Sequence, residues 1–349
     1  MTHLQLSSVT TSSFMPGNSS QINVNKALKS ISKVHLVGIC GSGMKALAEY
    51  LSDCGIEVSG SDQSHTGPLW HTMQQRGWKI HHGHRGEYLP KDVELLVYSP
   101  AISDRNPERV SAQELGIAQL SYTELLGKLL EHETGFCISG THGKSTTTAM
   151  LGSILKDSRQ NPSLFVGAEL CGRNRSGWAG GGEIMVVESC EYRRHFLNYK
   201  PKFAAILGIE ADHFDCYANV EEATQAYAEF ARNVSPEGVL LIAAESEATA
   251  KAAAAASAKV VTFSSVASAD WWATDVRQTP TGQRFRVFLK GNSSRRSKSI
   301  FPVNTTSPMP WQPQHWLITP VAHRCRFESP SLDLRGSSGD SSMLVPIAG

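Results

Sequence analysis

Gly140-Thr141-His142-Gly143-Lys144-Ser145-Thr146-Thr147-Thr148 is the stretch that decides the fold. An apolar run, Gly135-Phe136-Cys137-Ile138-Ser139, leads into it, and the helix-like Ala149-Met150-Leu151-Gly152-Ser153-Ile154-Leu155 follows. Strand, glycine turn and helix N-terminus in that order make a phosphate cradle. The turn's backbone N–H groups point inward and the helix dipole favours an anion there. Lys144 can reach terminal phosphates, and the Ser145 hydroxyl is placed for Mg2+. Gly140, Thr141, His142, Gly143, Lys144, Ser145 and Thr146 are therefore the candidate ATP-binding residues. The spacing departs from the strict phosphate loop, which would need glycine where Ile138 stands. A glycine turn before an ordinary helix is the plainer alternative.

Upstream, Val34-His35-Leu36-Val37 reads as a buried strand, followed by the glycine-rich turn Gly38-Ile39-Cys40-Gly41-Ser42-Gly43-Met44. Residues 45–54 have helical spacing, with Leu47, Tyr50 and Leu51 on one face. A second strand, Ile56-Glu57-Val58-Ser59-Gly60, ends at Ser61-Asp62, nineteen residues beyond Gly43. This unit follows the logic of a Rossmann nucleotide site, with phosphate at the glycines and ribose or base at the acid. An NAD-dependent oxidoreductase and a purely structural turn are the other readings of these residues. Val93–Ser99 is a further strand, and ligands of open α/β sheets bind at such strand ends. His81-His82-Gly83-His84 invites a zinc reading, but no Cys or carboxylate sits beside it at ligand spacing, so these are taken as loop residues. Tyr122–Leu130 is amphipathic and leads to a domain boundary near Glu131–Thr134.

Downstream, Glu183-Ile184-Met185-Val186-Val187-Glu188 is a buried parallel strand closed by a carboxylate. A carboxylate there, across the sheet from a phosphate loop, is where a Mg2+ ligand is expected. A solvated strand-end Glu is the alternative. Lys202–Gly208 is the next strand, running into Ile209-Glu210-Ala211-Asp212-His213-Phe214-Asp215, a dense polar cluster. Glu221–Asn233 reads as an amphipathic helix, Val239–Ile242 as a strand, and residues 244–258 as an Ala-rich helix.

With 349 residues the chain has room for two domains and part of a third. The formal net charge of +1, with no basic stripe, gives no indication of nucleic-acid binding. The seven cysteines form no C-x-x-C pair, as expected of free thiols in a reducing cytoplasm. No run approaches the roughly 18 apolar residues of a membrane span. Residues 1–32 are rich in Ser, Thr and Asn and read as a disordered extension, without the apolar core of a signal peptide.

The loop Gly-Thr-His-Gly-Lys-Ser-Thr-Thr at 140–147, with Glu210-Ala211-Asp212-His213 about 70 residues later, resembles the Mur ligases of peptidoglycan synthesis. The Gly38–Met44 turn with Gly60-Ser61-Asp62 is similar to the first domain of that family. His142, Ile209–His213 and Glu188-Ser189-Cys190-Glu191-Tyr192 before Phe196-Leu197 resemble its alanine-adding branch. Cys40 leans instead toward the murein-peptide branch. The resemblance covers about 33–291. It implies an α/β chain: a Rossmann-like UDP-sugar domain at 33–132 and an incomplete phosphate-loop ATPase domain at 133–291. It also implies an ATP-dependent ligase that joins L-alanine to the lactyl carboxylate of UDP-N-acetylmuramate through an acyl phosphate. Carried over by position, Lys144 stabilises the transferred phosphoryl group. Ser145 and Glu188 hold one Mg2+, and His213 ligates a second metal. Gly38, Gly41, Ser42, Gly43, Met44, Asp62 and Ser99 face the UDP part. The chain departs from the family at Gly208, where Asn is common, and at Arg193, where Asp is common.

Residues 292–349 break the pattern, with seven of the sixteen prolines and eleven serines. Read from the third base of each codon, Met309-Pro310 and Trp311-Gln312 each force Ala, and His315-Trp316 forces Leu. The string so permitted includes a Gly-Glu-His-Asn-like segment and an Ala-rich helix, which the family resemblance leads one to expect here. The expectation is an out-of-frame, disordered tail after Gly291, with the C-terminal ligase domain absent. The chain would then be an inactive truncated form, or a nonenzymatic nucleotide-binding remnant.

Overall fold

The computed structural model describes residues 30–64, 68–170, 174–210, 216–265, 269–279, 282–290, 297–301, 303–304 and 345–346. The chain divides into two compact units, Met1–Leu125 and Leu126–Gly349.

The first unit is a five-stranded parallel sheet of β1 (Lys33–Val37), β2 (Glu57–Asp62), β3 (Lys79–His82), β4 (Leu95–Tyr98) and β5 (Ala118–Ser121) in the order β3-β2-β1-β4-β5. Helices α1 (Ser42–Asp53), α2 (Pro68–Gln75) and α3 (Pro107–Glu114) connect the strands. The next helix, α4 (Tyr122–Leu130), spans the division at Leu125. The central strand shows the near-continuous apolar run of a sheet covered on both faces: Val34, Leu36 and Val37 are fully buried. Asn106 starts α3 by accepting from the amides of Glu108 and Arg109, with Pro107 at the first helical position.

His35 interrupts the apolar run of β1 and is also fully buried. Its Nε2 lies 2.6 Å from Glu108 Oε2 and its Nδ1 2.9 Å from Ser59 Oγ. The other Glu108 oxygen accepts from Ser61 Oγ at 2.8 Å and lies 3.0 Å from His84 Nδ1. One buried carboxylate on α3 thus ties together β1, the end of β2 and the loop after β3. His84 belongs to this cluster, while His81 stacks on Tyr88.

The second unit is a mixed sheet of ten strands, running from β6 (Thr134–Ser139) through β7 (Ser163–Leu170), β8 (Arg175–Trp178), β9 (Ile184–Glu188), β10 (Phe203–Ile206), β11 (Val239–Ala243), β12 (Lys259–Ser264), β13 (Trp271–Thr279) and β14 (Gly282–Leu289) to β15 (Ser297–Phe301). The order is β15-β14-β13-β12-β11-β10-β6-β9-β7-β8, parallel from β13 to β7 and antiparallel at both ends. Helices α5 (Lys144–Asp157), α6 (Val220–Arg232) and α7 (Glu247–Ala253) belong to this unit. Phe136 and Phe203 stack across adjacent strands at 4.6 Å, and Met150, Leu151 and Leu155 of α5 join the same core. Burying each such side chain is worth about 1.5–3 kcal/mol relative to leaving it in water. Phe196 stacks on Phe230 of α6 at 4.8 Å.

Helix α7 is shorter than the 244–258 expected. Ser246 accepts from Thr249 N and fixes the start. The amides of Ala255 and Ala256 bond three residues back, which tightens and ends the last turn. Within the tail, β15 pairs with β14, and the two-residue strands β16 (Val303–Asn304) and β17 (Val345–Pro346) pair with each other. Gly291 and most of the expected irregular tail lie outside the described residues. No helix of the described residues is long and apolar enough to cross a membrane.

Candidate functional site

In the second unit the strand order reverses at β6, which lies between β10 and β9. Such a reversal opens a crevice at the carboxyl ends of the strands, and the Gly140–Thr146 segment is built there. Gly140 has φ +135°, and a Cβ on it would stand 2.9 Å from Leu207 N, so only glycine fits the exit from β6. Thr141 N donates to Gly208 O and Thr141 Oγ1 accepts from Glu210 N, both at 2.9 Å, which stitches the loop to the end of β10. Gly143, at φ +80°, occupies the N-cap position of α5. The first-turn amides of Lys144, Ser145 and Thr146 have no intrahelical acceptor and are the donors of an anion seat.

Among the described residues, the side chains of Ser145, Glu188, Lys144 and Glu191 meet in the seat. Ser145 Oγ donates to Glu188 Oε1 at 2.9 Å, and the other Glu188 oxygen accepts from Gly167 N at 2.5 Å. Burial, reinforced by the charge of Glu191, holds the Glu188 carboxyl above the usual carboxylate range; Gly167, Ser145 and Lys144 pull it back. Lys144 Nζ donates to Gly140 O at 2.6 Å and Thr141 O at 3.2 Å, and pairs with Glu191 at 3.0 Å. His142 is half exposed, with Nε2 3.7 Å from Glu210 Oε2. The Ser145–Glu188 pair offers hard oxygen donors to Mg2+, and a half-buried carboxylate with a raised proton affinity is a group that a cation would relieve. His213 lies outside the described residues. Gly208 meets the loop through its carbonyl, so its lack of a side chain leaves that contact intact. Arg193 and Arg194 both sit at left-handed backbone angles, with φ 49° and 59°. Arg193 places its guanidinium 5.4 Å from the Tyr192 ring centre.

In the first unit the strand order reverses at β1, between β2 and β4. Gly38, at φ +82°, would carry a Cβ 2.9 Å from Ser99 Cβ, so the turn after β1 and the end of β4 meet closely. Gly41 precedes α1, whose first-turn amides are those of Ser42, Gly43 and Met44. The Met44 side chain is buried, so toward the turn it has only its backbone to offer. Gly43 lies against the Tyr122 ring. Asp62 faces this turn, with both oxygens occupied by backbone amides: Oδ2 accepts from Cys40 N at 2.8 Å and Oδ1 from Ser64 N at 2.9 Å. Burial, with the neighbouring Asp62 charge, pushes the Cys40 thiol up to about 12.

Sequence reasoning missed Glu191, Gly167 and Tyr217, whose hydroxyl donates to Glu191 O at 2.5 Å. The only sequence signal was a second acid three residues after Glu188. Nothing in the one-dimensional pattern marked that acid as buried.

One unit with a Rossmann-like parallel sheet and one whose sheet carries a phosphate-loop-like turn define a two-unit α/β chain. Residues 33–134 match the sequence model described as Mur ligase family, catalytic domain, and residues 138–302 match the Mur ligase middle domain. The chain belongs to the Mur ligase family. The UDP-N-acetylmuramate–L-alanine ligase of Clostridium novyi is 39% identical over 232 residues, 66% of this chain and 50% of that protein. That of Clostridium kluyveri is 32% identical over 277 residues, covering 79% and 59%. The chain thus spans about half the length of the curated relatives it matches. Among solved structures, the UDP-N-acetylmuramate:L-alanyl-gamma-D-glutamyl-meso-diaminopimelate ligase of Neisseria meningitides matches with a TM-score of 0.71 at 20% identity, covering 90% of this chain and 100% of that one. The UDP-N-acetylmuramate–alanine ligase of Thermotoga maritima matches with 0.70 at 24% identity, covering 86% and 67%. At these identities the two structures bear on the fold.

Proposed function

We propose that this chain carries the nucleotide and UDP-sugar sites of an ATP-dependent ligase that joins L-alanine to the lactyl carboxylate of UDP-N-acetylmuramate. The observation that carries the reading is the seat at the end of β6, where open helix amides, Lys144 and the Ser145–Glu188 pair converge. The names of the relatives support the choice of substrates. A carboxylate is a poor electrophile, and phosphorylation by ATP gives it a leaving group; the amine then attacks the acyl phosphate and inorganic phosphate departs. The chain's own contribution is positioning and charge neutralisation. The amides of residues 144–146 hold phosphate oxygens, and Lys144 neutralises the group in transfer. Ser145 and Glu188 hold Mg2+, with His213 as ligand to a second ion; bound metal would polarise the phosphoryl oxygens. The turn at 38–44, Asp62 and Ser99 serve the uridine diphosphate, with Asp62 shaping the turn through Cys40 N.

Titration of the full chain with ADP and with UDP-N-acetylmuramate tests both sites. Saturable binding of each, with NAD ignored, is the expected result. Binding of NAD and no uridine nucleotide would reverse the assignment. The reading also takes the codons after about 291 as out of frame, so that this chain is inactive in ligation while a frame-corrected gene is active. Nucleotide sequencing across codons 285–300 and an L-alanine-dependent phosphate-release assay on both products decide that part.

A further inference from the structure

Glu191 has no step in the chemistry above, yet it is 3% exposed and sits against the loop lysine. Its oxygens lie 3.0 and 3.1 Å from Lys144 Nζ. Burying a carboxylate is costly unless a cation faces it, and Lys144 is that cation. Gly140 O and Thr141 O take the same ammonium at 2.6 and 3.2 Å. An ammonium has three protons, so Lys144 arrives at the seat with its donors committed to two carbonyls and a carboxylate. An entering phosphate must take one of them. The carbonyls are neutral and do not oppose it, whereas Glu191 carries the same sign of charge. The backbone of Glu191 is held in place, because its carbonyl accepts from Tyr217 Oη at 2.5 Å and from Arg194 N at 2.9 Å. The four-carbon stem of Lys144 is the mobile partner.

We infer that Glu191 is the counter-anion that Lys144 exchanges for nucleotide phosphate: a positioning residue that stores the ammonium in the loop and limits how tightly nucleotide binds. The inference rests on the nucleotide-site reading of the loop. It differs in sign from a merely structural ion pair. If Glu191 only braced the loop, removing its charge would loosen Lys144 and weaken binding. As a competitor, its neutralisation strengthens binding.

The test is calorimetric titration of the full chain with Mg2+ and either ADP or a non-hydrolysable ATP analogue, for wild type, Glu191→Gln and Lys144→Ala. Wild type should bind, Lys144→Ala should bind weakly or not at all, and Glu191→Gln should bind about tenfold tighter, as expected when a like charge is taken from a buried site. A folded Glu191→Gln protein that binds equally or more weakly overturns the inference while leaving the nucleotide site standing. A wild type that binds no nucleotide, or a Lys144→Ala protein that binds as wild type does, removes the nucleotide site and this inference with it. Should Glu191→Gln not fold, lysine-selective 15N NMR on wild type decides. The locked ammonium should give a slowly exchanging resonance absent from Lys144→Ala, and saturating ADP should shift it. A resonance unmoved by bound ADP means that Lys144 keeps its partner, and the exchange does not occur.

Discussion

The turn after β1 and the turn after β6 start from one backbone plan. Each leaves a parallel strand where the strand order reverses, passes through a left-handed glycine, and opens a helix whose first amides lack acceptors. They differ in what the side chains add. At the first turn the nearby carboxylate, Asp62, is occupied with the amides of Cys40 and Ser64, and Ser42, Gly43 and Met44 bring no charge. At the second, a lysine pairs with the buried Glu191, and the half-buried Glu188 is bonded to a helix-start serine. The backbone supplies an anion seat in both. Under the proposed function, the side chains separate a seat that holds a diphosphate by dipoles from one that steadies a phosphoryl group as it leaves. That contrast can be broken or sharpened by substitution.

The largest effect is expected at Lys144. Lys144→Ala strips the second turn of its cation and should cost about 2–5 kcal/mol of nucleotide binding, the range for truncating one partner of a buried charge pair. It also strands Glu191, so the melting temperature should fall, and the double variant with Glu191→Gln should recover part of it. Uridine nucleotide binding at the first turn should not change. Loss at both sites would show that the two seats are not independent.

Glu188→Gln comes next. Mg2+ affinity should drop roughly 100-fold, the upper end of what loss of supporting partners costs a metal site. Because burial raises its proton affinity, the folded protein holds the Glu188 proton more firmly than the unfolded chain does. Metal-free stability should therefore fall as pH rises from the ordinary carboxylate range through the raised value. Glu188→Gln should lack that slope, and Mg2+ should raise the melting temperature of wild type alone. Thermal melts across pH, with and without Mg2+, measure both.

Asp62→Ala tests the first turn. Removing a charged acceptor from two amides should cost about 1.5–3 kcal/mol of stability and roughly tenfold in uridine nucleotide affinity. Cys40, whose thiol is held up to about 12 in wild type, should become more reactive toward iodoacetamide near neutral pH once the adjacent charge is gone. An unchanged alkylation rate would mean that burial alone protects it. The smallest effect is expected for Ser99→Ala. Its hydroxyl accepts from Ala101 N at a long 3.4 Å, so about 0.5–1 kcal/mol of uridine nucleotide binding is the expected loss by titration.

Both turns and their flanking strands were legible in the sequence because each joins an apolar run to glycines and then to a helical period. The buried strands at Ile184–Glu188, Phe203–Ile206 and Val239–Ala243 were legible for the same reason. The edge elements were not. Strand β3 carries the pattern Lys79-Ile80-His81-His82 and β5 only Ala118-Gln119-Leu120-Ser121, with no fully buried residue in either, so no period announces them. Strands β13 and β14 fall where Arg, Gln and Thr interrupt the apolar positions. At the site, residue types and spacing singled out Lys144, Ser145 and Glu188, which the structure brings near one another. Glu191 stayed hidden because its importance lies in burial, which is set by Tyr217 and Lys144 approaching from elsewhere in the chain. Asp62 was singled out together with the turn, but its occupation by backbone amides is a property of three-dimensional reach.

The carboxylate of Glu108 has a consequence for how this unit can change over generations. His35, Ser61 and His84 all depend on it, and it depends on them, in a place where water cannot substitute for a lost partner. A replacement at any one of the four leaves the rest with mismatched donors and acceptors, so each single step is penalised even where the final combination would be sound. The four positions should therefore drift as a block or not at all. A library randomising them together should yield folded variants whose accepted residues are correlated across positions, while libraries randomising them one at a time should return almost only the parent.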